Sequence, residues 1–214
     1  MALEPQVKQH ATGIIRRLNR TYPEVECALA YQTPLQLLVA TILSAQCTDE
    51  RVNMVTRDLF KKHPTASDLA ALSQAEMERL IKSTGFFRNK AKNIRACCET
   101  LVRHHGGDVP RDLDQLVQLP GVGRKTANVV LGTAFGMATG VVVDTHVSRL
   151  SQRLGMTVRQ DPVRIEQDLM AQVPRKEWIG FSHRLIHHGR QVCKARRPLC
   201  DQCSLADVCP KRGV

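Results

Sequence analysis

The sequence has no long apolar run. Its most apolar extended stretch, 127–143, is shorter than the roughly 20 residues that cross a bilayer, and Asn128, Gly132, Gly136 and Gly140 interrupt it. No membrane span is expected. The first ten residues lack the apolar core of a secretory signal, so the chain is expected to stay in the cytoplasm. Repeats, low-complexity tracts and long flexible linkers are also missing, which excludes a solenoid and requires any two domains to be closely joined. Acidic side chains are short as well: 20 Asp and Glu stand against 31 Lys and Arg, a formal charge of +11. Such an excess suits a polyanionic partner, although a merely basic surface would show it too. With 43% hydrophobic and 24% charged residues, the chain is neither disordered nor fibrous. Its 214 residues are enough for one or two domains.

What remains reads as helix almost throughout. Thr33-Pro34 supplies a cap and a first-turn proline to a segment reaching Gln46, with Leu35, Leu38, Val39, Ile42 and Leu43 at helical spacing. Ser73-Gln74-Ala75-Glu76 has the form of a capping box, opening a helix that Gly85 stops. The same reasoning predicts helices near 6–21, 49–62, 87–105, 112–118, 124–135, 145–154, 162–173 and 176–188. Val141-Val142-Val143 is the one strand-like run, expected as a buried extended connector. The fold class is all-α. His, Arg and Cys accumulate after Arg175, suggesting a separate C-terminal unit.

Leu119-Pro120-Gly121-Val122-Gly123 lies between two helical patterns. Paired glycines permit a sharp turn whose backbone N–H groups, at a helix start, can receive a phosphate. An ordinary helical corner would use the same residues. Arg124 and Lys125 then put positive charge where the helix dipole disfavours it, and a bound anion would offset that cost.

Eight cysteines in a reducing compartment are not expected to form disulfides. Cys27, Cys47, Cys97 and Cys98 are scattered among apolar residues and are expected as small buried hydrophobes. Cys193, Cys200, Cys203 and Cys209 are separated by six, two and five residues. Four thiolates suit tetrahedral zinc or a 4Fe-4S cluster. Zinc sites usually pair two short knuckles, and only one short spacing occurs here.

Three ordered motifs together resemble the endonuclease III branch of the helix-hairpin-helix glycosylase family. They are Leu119 to Ala127, Val143-Asp144-Thr145-His146-Val147, and the four C-terminal cysteines. Leu43-Ser44-Ala45-Gln46 with Thr48-Asp49, Thr84-Gly85-Phe86-Phe87 with Asn89-Lys90-Ala91, and His188-Gly189-Arg190 extend the resemblance over almost the whole chain. It implies base-excision DNA repair, with Lys125 as nucleophile, Asp144 as second catalytic residue and a 4Fe-4S cluster on the four cysteines. It further implies two helical domains flanking a DNA-binding cleft: residues 27–137 with the hairpin, and 1–26 joined to 138–214 around the cluster. One departure stands out. The segment from Lys125 to Asp144 is one residue longer than the family's spacing, near Met137 to Gly140, where a crossover loop can absorb it.

The chemistry implied is bifunctional. A neutral lysine amine displaces a damaged base at the sugar C1′, and the resulting imine, an electron sink, acidifies the C2′ proton, whose loss lets β-elimination expel the 3′ phosphate and break the strand. A carboxylate at Asp144 can stabilise the developing sugar cation or relay a proton, and it is also a natural cap for the helix that follows. The lesion must leave the duplex, and the resemblance puts Gln46 and Phe86 in the gap, with Phe87 competing for the second place. Expected phosphate contacts are Gly121, Val122, Gly123, Arg124, His146, Arg190, Lys194, Arg196 and Arg197. Partner DNA is expected to be double-stranded, carrying oxidised pyrimidines or abasic sites, bound by a monomer. A monofunctional relative is disfavoured by Lys125, and a non-catalytic zinc module by the cysteine spacing.

Overall fold

A computed structural model describes residues 5–214. Residues 1–4, the start of the stretch read above for a signal, lie outside the described residues. The chain is helical, with no strand among the described residues, and divides into two compact units, 1–26 with 138–214 and 27–137.

The 27–137 unit is built from α2 (Pro34–Leu43), α3 (Asp49–Lys62), α4 (Ala66–Ala71), α5 (Gln74–Ile81), α6 (Phe87–His105), α7 (Leu113–Leu116) and α8 (Arg124–Phe135). Local sequence sets the helix starts. The Thr33 side chain accepts the Gln36 N–H ahead of Pro34, and Ser73 with Glu76 forms the expected capping box. Helix α4 was not expected. It opens on a second capping box, Thr65 with Asp68, which the sequence carried unread. Packing of α2 on α8, and of α4 and α5 on α6, buries Leu37, Leu38, Leu69, Met77, Ile81, Ile94, Leu101 and Leu131 completely. Each such side chain contributes about 1.5–3 kcal/mol of transfer free energy. Cys97 and Cys98 lie in this core, and burial pushes the Cys97 thiol up to about 12. Cys27 and Cys47 are only half-buried, so the expectation of four buried cysteines holds for two.

Several boundaries differ from expectation: the helix opened by Ser73 ends at Ile81 and passes into a 3-10 turn, Lys82–Thr84, and the helix expected over 176–188 runs Trp178–Gln191. Helix α2 ends at Leu43, and Gln46 sits beyond it in a turn closed by a Cys47 N–H to Ser44 carbonyl bond of 3.1 Å. Helix α7 spans only Leu113–Leu116 because the Val117 N–H bends back onto the Gln115 and Leu113 carbonyls.

The other unit combines α1 (Pro5–Thr21) with α9 (Thr145–Arg153), α10 (Pro162–Gln172) and α11 (Trp178–Gln191). Ile14 and Leu18 of α1, Val147 and Leu150 of α9, Ile165 and Leu169 of α10, and Phe181 and Leu185 of α11 form its core. Arg17 of α1 grips Asp207 of the C-terminal loop through two hydrogen bonds. Residues 141–143 are the buried extended connector expected. The Val142 N–H donates to Ser182 Oγ at 3.0 Å, and Ser182 donates onward to the Trp178 carbonyl, so the buried backbone is satisfied.

Candidate nucleic-acid interface and cysteine cluster

The hairpin is set by a glycine no other residue can replace. Gly121 has φ +77, and a Cβ there would lie 2.7 Å from the Asn93 Cβ. Val122, read as a DNA contact, has its side chain buried in the core of the unit, so only its backbone can face a ligand. Gly123 is the N-cap of α8. No side chain caps it, a Cβ there would meet nothing, and the first turn contains no acid. The first N–H groups of a helix lack intrahelical partners. Here they stand beside the exposed Arg124 and Lys125, an arrangement suited to an anion.

Gln46 and Phe86 belong to the same unit, and both are exposed, Phe86 by 64%. Each has a left-handed backbone, with φ of 52 and 47. Phe87 instead packs against the core, so Phe86 is the ring presented to solvent.

In the other unit Asp144 caps α9. Its Oδ1 accepts the N–H groups of His146 and Val147, each at 2.8 Å. His146 is half-buried, and burial lowers its pKa. Its Nδ1 lies 3.2 Å from Arg149 Nη2, which also donates to the carbonyls of Gly189 and Cys193. Arg190 is exposed on the last turn of α11.

Cys193, Cys200, Cys203 and Cys209 line one small pocket of about 20 Å³, together with Arg153, Leu199 and Ala206. Among the described residues, no three His, Cys, Asp or Glu side chains converge closely enough to hold one metal ion. Four cysteine thiolates are the donor set that a 4Fe-4S cluster takes. Donors already face the sulfurs: Arg153 Nη1 lies 3.3 Å from Cys193 Sγ, the Leu205 N–H 3.4 Å from Cys203 Sγ, and the Lys211 N–H 3.4 Å from Cys209 Sγ. Buried His188 bridges Tyr22 Oη, 2.8 Å from Nδ1, and Cys203 Sγ, 3.3 Å from Nε2. Burial holds its pKa at about 4, so the ring is neutral, and with Nε2 protonated it donates to the sulfur while Nδ1 accepts from the tyrosine. Burial also raises the Cys203 and Cys209 thiols, and cluster iron would supply the charge that keeps them thiolate.

Arg153 does more than face a sulfur. Its guanidinium donates to the carbonyls of Lys194 and Ala195 at 2.8 and 2.9 Å, fixing the loop from which Lys194, Arg196 and Arg197 project into solvent. Arg149 and Arg153 were missed in the sequence, and His188 was quoted there without a role, because their partners are carbonyls, a tyrosine hydroxyl and sulfurs distant along the chain. The four-residue spacing of the two arginines on α9 was the one available signal.

Comparison with known proteins agrees with this geometry. Residues 39–175 match the HhH-GPD superfamily of base excision DNA repair proteins, and residues 193–209 match the iron–sulfur binding domain of endonuclease III. The fold and hairpin therefore define a helix-hairpin-helix base-excision repair protein. The endonuclease III of a Synechocystis species is 59% identical over 95% of this chain and 93% of its own length; that of Bacillus subtilis is 47% identical over 90% and 88%. A solved non-covalent endonuclease III–DNA complex superposes with a TM-score of 0.91 at 45% identity, covering 95% of each chain. A trapped endonuclease III–DNA covalent intermediate gives 0.91 at 44%, covering 95% of this chain and 96% of the other. The chain belongs to the endonuclease III family. It is a base-excision repair enzyme, a DNA glycosylase and abasic-site lyase, and its cofactor is a 4Fe-4S cluster. No helix among the described residues is long and apolar enough to cross a membrane.

Proposed function

We propose that the enzyme removes oxidised or ring-saturated pyrimidines from double-stranded DNA and cleaves the resulting abasic site, with Lys125 as nucleophile and Asp144 as its carboxylate partner. The observation that carries this reading is the similarity to a trapped covalent protein–DNA intermediate, combined with an exposed lysine in the first turn of an uncapped helix. The Lys125 amine attacks C1′ as the base departs. The imine so formed acidifies the C2′ proton, and loss of that proton expels the 3′ phosphate. Asp144, held through Oδ1, offers Oδ2 to the developing sugar cation and to the proton of the attacking amine.

The hairpin N–H groups and Arg124 receive a phosphate, and Gln46 and Phe86 fill the gap left by the extruded nucleotide. His146, Arg190, Lys194, Arg196 and Arg197 add backbone contacts. Cys193, Cys200, Cys203 and Cys209 hold the cluster, which fixes the basic loop; none of these steps requires an electron. Such an enzyme works on the genome in the cytoplasm. Borohydride reduction with abasic duplex is expected to give a covalent complex that Lys125→Ala abolishes. No complex, or one that survives the substitution unchanged, would overturn the mechanism.

A further inference from the structure

Left-handed backbone at a residue with a Cβ is unfavourable unless surrounding structure enforces it. Gln46 and Phe86 are both in that state, at the exposed tips of two turns, and neither is the asparagine or glycine that tolerates it best. Lys90 of α6 is joined to both turns. Its Nζ donates to the Leu43 carbonyl at 2.8 Å, three residues before Gln46, and to the Thr84 carbonyl at 2.7 Å, two residues before Phe86. Its backbone N–H donates to the Phe86 carbonyl at 3.1 Å. The side chain is 5% exposed, and none of the ion pairs found involves it. Burial lowers its pKa. A buried ammonium met by two carbonyls and the nearby Cys47 sulfur, with no carboxylate partner, is an expensive way to fill a core, where an apolar side chain of similar length would pack at lower cost. What an apolar side chain could not do is tie the end of α2 to the turn before α6.

We propose that Lys90 is a positioning residue that fixes the separation and register of Gln46 and Phe86, so that both side chains enter the duplex together when a nucleotide is extruded. This rests on the reading of Gln46 and Phe86 as gap-filling residues given above. The clamp acts before chemistry and through other residues; it touches neither the sugar nor Lys125.

Strand cleavage at an abasic site can be compared on duplex and single-stranded DNA, since only the duplex has a stack to open. Lys90→Met should lower the duplex-to-single-strand rate ratio about tenfold to a hundredfold, the scale on which a misplacement near 1 Å acts. Its single-strand rate should stay within about twofold of the parent, because the nucleophile is untouched. Fluorescence of 2-aminopurine placed opposite the abasic site should rise less on binding. Lys90→Arg, which keeps the charge but widens the donor fork, should fall between the two, and it supplies the same ratio if the methionine variant does not fold. A loss shared equally by both substrates, or an unchanged ratio, would overturn the proposal and leave Lys90 a core residue. Gln46→Ala and Phe86→Ala serve as reference. If they lower the ratio and Lys90→Met does not, only the clamp fails. If they leave it unchanged, the gap-filling reading fails and the clamp falls with it.

Discussion

Asp144 shows how one side chain can carry a fold and a reaction, and a pair of substitutions separates the two. Asparagine ranks with aspartate as a helix cap. Asp144→Asn should therefore keep the bonds from His146 and Val147 and leave the unfolding midpoint unchanged, while single-turnover base removal falls by about 10²–10⁴ through loss of the charge. Asp144→Ala should lose activity similarly and in addition about 1 kcal/mol of stability, measured by denaturant unfolding. Full activity in the asparagine variant would reduce Asp144 to a cap. Arg153 makes a different point. With 7% exposure it serves a sulfur and two loop carbonyls at once, so Arg153→Met should weaken cluster retention about 10–100-fold. Loss of visible iron–sulfur absorbance under a chelator would report it, and unchanged retention would confine Arg153 to packing.

Among the elements, the hairpin is the least tolerant. Gly121→Ala sets a Cβ against Asn93 and forces a left-handed residue, costing about 1–3 kcal/mol for the backbone alone. Adding Asn93→Gly should recover the overlap but not the backbone part, a non-additivity visible in denaturant unfolding. The capping boxes of α4 and α5 give a pH dependence. Hydrogen bonds from Thr65 and Ser73 hold the carboxyls of Asp68 and Glu76 below their ordinary range. Groups depressed in the folded state stabilise above the unfolded pKa, near 4, and lose that contribution as pH falls through the lower folded value. Ser73→Ala should therefore be destabilising at neutral pH, with the difference from the parent shrinking below about pH 4 as Glu76 takes up its proton in both proteins. These caps also show what a sequence exposes. Helix starts at Thr33 and Ser73 could be read from four residues each, and Thr65 to Asp68 carried the same signal. The end of α2 could not be read, because neither glycine nor asparagine announces the left-handed turn at Gln46; a lysine 47 residues after Leu43 in sequence braces it. The nucleophile and thiols were legible because their chemistry needs rare residue types in tight order. Lys90 stood in the sequence only as part of the resemblance, with no role attached, and Arg149 and Arg153 were not read at all, since the work of all three is done on carbonyls that every residue possesses.

At the scale of the whole molecule, charge rather than shape is the most direct handle. No linker composition marks the chain crossings near residues 26 and 137, yet the cations proposed to meet phosphate divide unevenly: Arg124 in one unit, and Arg190, Lys194, Arg196 and Arg197 in the other. Five neutralised phosphates predict a slope of about −4.5 for log affinity against log salt on duplex DNA, from about −0.9 per phosphate. Replacing Lys194, Arg196 and Arg197 together by glutamine should reduce the magnitude of that slope by about 2.7, because the three project from one loop and each releases its own counterions. Arg124→Gln should remove only about 0.9. The measurement is equilibrium binding over a salt series, using a reduced abasic analogue that cannot form the imine, so that affinity is read apart from Lys125. A slope unmoved by the triple substitution would make the loop a solvated surface and assign the +11 charge to solubility. A slope that falls while single-strand cleavage stays intact would tie the loop anchored by Arg153 and the cluster cysteines to holding DNA rather than to reacting with it.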